Sequence, residues 1–231
     1  MPTDNHIVVQ QPPTAQNWAI GCAGTVTGVG AFDHPPGKIE GANQPGLTPA
    51  SLYRAQRQQR LQRSYRHHWA IADAYVRGGD YSALNYGDSN KLLIKEASAD
   101  YRRWAYMKFD LAGENHNEIT AVRLRLNAAV KSGDHSIWVS AYGVPNTSWI
   151  ETGITWANKP ALDSHVQSSR PVAGPAAEFE WDVTDWVLAE LESGRTVVSL
   201  AILCPSANNE VVMVDAREDS SGIGPQLLVN A

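Results

Sequence analysis

The sequence predicts an all-β protein, a two-sheet antiparallel sandwich of jelly-roll type preceded by an irregular N-terminal segment with one short helix. Three observations carry this. From about residue 65 onward, apolar and polar residues alternate in short runs bounded by turn residues. Before residue 65 the apolar residues come only in small separated pieces among Gly, Pro, Gln and Asn. In the C-terminal part a single stretch reads as a helix, and no internal repeat breaks the pattern.

Turn signals punctuate the first 50 residues at Pro12-Pro13, Pro35-Pro36-Gly37 and Gln44-Pro45-Gly46. Only Ile7-Val8-Val9 and Trp18-Ala19-Ile20 are apolar enough for strands, so this segment buries no core by itself. A helix is expected from Thr48 to Leu61, with Thr48 or Ser51 as cap, Pro49 in the first turn, and Arg54, Arg57, Arg60 and Arg63 along one face. Residues 1–64 therefore read as a tail or linker and 65–231 as the sandwich. Within the sandwich, 91–95, 104–111, 122–130, 137–144, 179–183, 197–204, 211–216 and 226–229 read as strands. Thr184-Asp185-Trp186 opens the helix, with Thr184 or Asp185 as its cap, and Gly194 ends it.

Composition narrows the function. A formal charge of −5, with no basic arm or long charge run, gives no case for a nucleic-acid or membrane partner. No apolar stretch reaches the roughly 18–20 residues of a membrane helix, and residues 1–6 have no signal-peptide pattern. The two cysteines, Cys22 and Cys204, lie in different segments and suggest no disulfide framework. Eight Trp and eight Tyr against three Phe make an amphipathic aromatic set, suited both to a sandwich core and to stacking on sugars.

Alternation separates two faces. At 104–111, Met107, Phe109 and Leu111 form the apolar set, which turns Trp104, Tyr106 and Lys108 the other way. At 122–128, Arg123 and Arg125 face outward, and at 137–143 Trp138 and Tyr142 do. Neighbouring strands of this kind would interleave Trp, Tyr, Lys and Arg on one surface. Aromatic planes stack on pyranose rings while guanidinium and ammonium groups pair with carboxylates. The candidate ligand-binding residues are thus Trp104, Tyr106, Lys108, Arg123, Arg125, Trp138 and Tyr142, and the matching partner is an acidic polysaccharide. Trp149 and Trp156, in a turn-rich segment, read as packing the end of the sandwich.

Other chemistry finds less support. His67 and His68 point in opposite directions on a strand, and no Cys-x-x-Cys or His-Glu-x-x-His spacing offers a zinc site. Asp73, Asp80, Asp88 and Asp215 are candidates for a structural calcium site through oxygen ligands. The glycines of 21–30 lack the setting of a phosphate loop. Tyr142, Lys108 and Arg125 have the residue types for eliminating a uronate, yet no catalytic motif accompanies them, and the face has no carboxylate pair for glycoside hydrolysis. No catalytic residue is assigned.

Six phrases in order carry a family resemblance. They are Ala72-Asp73-Ala74-Tyr75-Val76 with Asn85-Tyr86-Gly87, Tyr106-Met107-Lys108-Phe109-Asp110-Leu111, Ser148-Trp149-Ile150-Glu151-Thr152-Gly153-Ile154-Thr155-Trp156, Trp181-Asp182-Val183-Thr184-Asp185, and Asp215-Ala216-Arg217-Glu218. Over residues 70–230 they resemble the DNRLRE-type β-sandwich domain, of which carbohydrate-binding module family 96 is the carbohydrate-binding relative. The resemblance implies a secreted, non-catalytic module that holds alginate, pectin or another uronate polymer near an enzyme; a cell-surface adhesion module and a lyase fragment are its alternatives. Asn17-Trp18-Ala19-Ile20-Gly21-Cys22 and Pro49-Ala50-Ser51-Leu52-Tyr53, with the Gln/Arg-rich helix, resemble the C-terminal end of a right-handed β-helix polysaccharide lyase over 17–62. That implies an upstream catalytic domain in a longer parent protein.

Overall fold

A computed structural model describes residues 65–132, 135–207 and 209–231, together with 6–7, 19–20, 25–27, 37–39 and Arg54. The chain divides into two compact units, Met1–Ser64 and Tyr65–Ala231. In the first, β1 (His6–Ile7), β2 (Ala19–Ile20), β3 (Thr25–Thr27) and β4 (Gly37–Ile39) form a sheet in the order β1-β4-β3-β2. The pair β1–β4 is parallel. The arginine-rich helix expected from Thr48 lies outside the described residues except for Arg54, which is helical and exposed.

The second unit is all-β with one α-helix. Its strands are β5 (Tyr65–Arg77), β6 (Lys91–Ile94), β7 (Arg103–Asp110), β8 (Ala121–Val130), β9 (Ser136–Gly143), β10 (Val166–Ala173), β11 (Ala177–Asp182), β12 (Val197–Leu203), β13 (Val212–Asp215) and β14 (Gln226–Asn230). The helix α1 spans Thr184–Glu192. All ten strands belong to one sheet, nine along the path β10-β9-β12-β7-β5-β14-β8-β13-β6 and β11 off it on β8. Every pairing in it is antiparallel.

The expected two sheets are halves of this path, joined by β5. Tyr65 to Trp69 pair with β14, whereas Ala70 to Arg77 pair with β7, and the register shifts between Ala70 and Ala72. A bulge of this kind bends a strand and lets it serve two sheets. At the other side β10 pairs with β9 and β11 with β8, so residues 174–176 carry the chain from one half to the other.

The core lies between the halves. Met107, Phe109, Val139, Ala141, Leu200 and Ile202 meet Leu92, Ile94, Leu124, Leu126, Val214 and Val229, all buried. On β8 the inward set Val122, Leu124, Leu126, Ala128 and Val130 follows the period of two that alternation demands. Trp181 of β11 is fully buried and its Nε1 donates to the Val139 carbonyl at 2.9 Å, which locks β11 to β9 across the core.

Two strands escape the alternating pattern for physical reasons. In β5, residues Ala72 to Val76 are buried on both faces, so no exposed polar residue alternates with them and the one carboxylate in the run, Asp73, is itself buried. In β10 most residues are exposed or half-buried and Pro171 interrupts the run, as on an edge strand. The helix starts and stops as expected, and Gly194 at φ +79° supplies its left-handed end. Neither expected residue caps it: Val183 holds the cap position without a side-chain bond, while the Thr184 hydroxyl donates to Asp182 and accepts from the Val122 amide.

Candidate functional site

The segment from Val144 to Leu162 decides which side chains reach solvent. It lies over the outer face of β5, β7 and β12, where Val144, Trp149 and Ile154 form a second apolar cluster with Ala72, Ala74, Val76, Tyr106 and Ala201. Trp149 is buried and its Nε1 donates to Ser199 Oγ at 3.0 Å. The Asn85 amide donates to the carbonyls of Glu151 and Ile154, each at 2.7 Å. Gly87 must be glycine here, because a Cβ would stand 2.3 Å from the Glu151 carbonyl oxygen.

This covering corrects the open face that alternation suggested. Tyr106 has no exposed surface and donates its hydroxyl to the Pro160 carbonyl at 3.1 Å; burial pushes its phenol well above the usual range. Lys108 spends its ammonium on the carbonyls of Thr147 and Trp149, at 3.2 and 2.5 Å, and lies 4.6 Å from the centre of the Trp149 ring. Trp104 is half-buried against Trp156, with ring centres 5.0 Å apart. Trp149 and Trp156 thus pack over the outer face of this half. Changing Lys108 to Met should destabilise the fold by about 2 kcal/mol in urea denaturation, because two carbonyls lose a charged donor, and should leave ligand binding at the parental level.

The other four predicted residues separate. Arg123 and Arg125, on β8, face outward from the opposite half and pair with β11. Arg125 donates to Glu180 Oε1 at 2.7 Å and lies 3.5 Å from Glu178, while Arg123 is 3.9 Å from Glu180. These guanidiniums already have carboxylates. Trp138 and Tyr142, on β9, share the outer face of the half that contains β7; Trp138 is 55% exposed and Tyr142 half-buried. The seven therefore do not make one surface.

A different set of cations comes together. Arg77 ends β5, Arg103 begins β7, and Lys95 follows β6; Arg103 is the cross-strand partner of both others. Paired positions place Cβ atoms about 5 Å apart, and like charges there repel. Among the described residues none of the three has a carboxylate within ion-pair distance, in contrast to Arg66, Lys91, Arg102, Arg123, Arg125, Arg195 and Arg217. Nε of Arg77 and Nε of Arg103 are buried without an acceptor. Burial, and then the neighbouring Arg77 charge, hold Arg103 below the usual arginine range. Two exposed tyrosines flank the row: the Arg77 guanidinium sits 3.4 Å from the centre of the Tyr81 ring, and Lys95 Nζ is 5.9 Å from that of Tyr101. Three cations, two aromatic faces and no counter-charge suit an anionic sugar.

An acidic cluster lies elsewhere. Asp73 of β5, Glu151 of the covering segment and Glu218 each offer a carboxylate oxygen within 4.8 Å of the others. Asp73 is fully buried; its Oδ2 accepts from the Arg217 amide at 2.9 Å, while Oδ1 has no partner. Desolvation, and the nearby charges of Glu218 and Glu151, push its carboxyl up to about 7 despite the Arg217 amide bond. The three carboxylates, Asp73 with its unpartnered Oδ1 among them, are hard oxygen donors of the kind calcium takes. The Arg217 guanidinium already lies 2.8 Å from Glu151 and 3.8 Å from Glu218. Of the other expected ligands, Asp215 is engaged by Lys91 and Asn127, and Asp80 and Asp88 are exposed.

A two-layer β-fold with aromatic and cationic side chains clustered at one rim is the build of a sugar-binding module. The sequence model of "Carbohydrate-binding module family 96" matches residues 64–231, and the chain belongs to that family. A gellan lyase from a Bacillus species is 30% identical over 132 residues, which are 55% of this chain and 5% of that enzyme. The chain thus spans a small fraction of the length of that relative.

Proposed function

We propose that this chain is the non-catalytic module by which a secreted polysaccharide lyase holds a uronate-bearing polysaccharide, with Arg77, Lys95 and Arg103 as its anion-binding row. The observation that carries the reading is the row itself: three like charges set on adjacent strands, with buried donors and, among the described residues, no carboxylate within ion-pair distance. Such an arrangement costs stability until an anion occupies it. Tyr81 and Tyr101 supply faces on which a pyranose ring stacks. Family membership supports a carbohydrate ligand, and the similarity to a gellan lyase supports a polysaccharide and a catalytic domain elsewhere in the parent protein; the acidic character rests on the row.

The test is binding of the purified chain to polygalacturonate and alginate against a neutral glucan. Retention on the uronates should fall as salt rises, since the screening length is about 8 Å at physiological ionic strength. The same incubations should generate no unsaturated uronate, followed by its ultraviolet absorbance. Equal retention on the neutral glucan would overturn the acidic specificity, and steady growth of that absorbance would overturn the non-catalytic role.

A further inference from the structure

We infer that Trp138 forms a second, uncharged stacking subsite, which takes a neutral sugar of the same chain whose uronate occupies the cation row. The inference rests on the acidic-polysaccharide reading above and extends it to a mixed polymer, in which neutral sugars accompany the uronate.

Register places the two sites at one end of the fold. Tyr75 pairs with Ala105, Ala105 with Ile202, and Ile202 with Ala141, so these four make one transverse line across β5, β7, β12 and β9. Toward one edge, Arg77 and Arg103 lie two residues from that line and Trp138 three. The arginines therefore share the core-facing parity of Tyr75 and Ala105 and open at the rim between the halves, whereas Trp138 projects from the outer face. Two strand spacings separate β9 from β7, about 10 Å. An oligosaccharide that passes over this rim, from the space between the halves to the outer face of β9, is long enough to meet both sites.

The surroundings of Trp138 are chemically unlike the row. Its cross-strand partner is Pro171, which is also exposed, and the next outward pair on these strands is Ser140 and Ser169, whose hydroxyls lie 2.6 Å apart. Arg170, the charged residue of β10, stacks toward Phe179 and Trp181 instead. Ser140 is buried and bonded to Ser169, so the exposed groups are an indole, a proline ring and the Ser169 hydroxyl, with no charge among them: an apolar plane and one neutral hydrogen-bonding group. That fits the face of an uncharged pyranose better than a carboxylate. Trp104, Trp156 and Lys159 lie on the same outer face, and the Lys159 ammonium is 3.9 Å from the centre of the Trp156 ring.

The test compares two probes by calorimetry: a tetra-uronate, and a tetrasaccharide with one uronate among neutral hexoses. Trp138→Ala should weaken binding of the mixed tetrasaccharide about fivefold and leave the tetra-uronate within twofold, and Trp138→Phe should restore part of the loss. Arg103→Gln should weaken both. No effect of Trp138→Ala on the mixed probe, or an equal loss on both, would overturn the neutral subsite while leaving the cation row standing. If the parent binds neither probe, the acidic-polysaccharide reading fails and the subsite with it. Trp138 is a surface residue, so unchanged melting of the variant verifies that the comparison is between folded proteins.

Discussion

Changing Arg77, Lys95 and Arg103 together to glutamine should weaken polyuronate binding roughly 100-fold or more, as charged hydrogen bonds contribute about 1.5–3 kcal/mol each. The same triple variant should melt no lower than the parent. The two signs come from one cause. Arg103 faces a like charge on either side, and among the described residues no carboxylate lies within ion-pair distance to offset them. Glutamine keeps much of the aliphatic stem and removes the repulsion. A row built for stability would give the reverse, a lower melting temperature with binding intact. Affinity electrophoresis on alginate and differential scanning calorimetry separate the outcomes, and parental binding by a folded triple variant would place the ligand elsewhere.

How much of this was legible in the sequence depends on what a residue pattern encodes. Alternation located β7, β8, β9 and β12 and sorted the inward residues of the first three, because those strands have one face on the core; β12 is buried on both. It says nothing about what covers the other face. The outward parity of Tyr106 and Lys108 was read correctly, but the segment that buries them has irregularly spaced apolar residues and no periodicity of its own. Register was equally invisible. The acidic residues that satisfy Arg125 lie more than 50 positions away on β11. Arg77, Lys95 and Arg103 sit at strand termini, where alternation ends, and only pairing brings them together. Sequence does hold a weak signal for the row: both arginines lie within a few residues of a tyrosine, Tyr75 and Tyr81 for Arg77 and Tyr101 for Arg103.

Calcium should raise the melting temperature of the parent by roughly 5–10 °C at an ion concentration about 100 times its dissociation constant. A ligand at that excess contributes about 2.7 kcal/mol, and 1 kcal/mol shifts a domain of this size by about 2–4 °C. The ion would join β5, the covering segment and the residues after β13, since Asp73, Glu151 and Glu218 come from these three places. In chelator, stability should fall as pH climbs from about 4, the unfolded carboxyl value, through about 7. The sign follows from Asp73 binding its proton more tightly when folded, so that ionising it costs the native state more than the unfolded one. Asp73→Asn removes that cost and one ligand together. In chelator at pH 8 the variant should therefore melt at or above the parent, and calcium should no longer shift it. An unresponsive parent would mean that Arg217, whose guanidinium is 2.8 Å from Glu151, is the only cation the cluster needs.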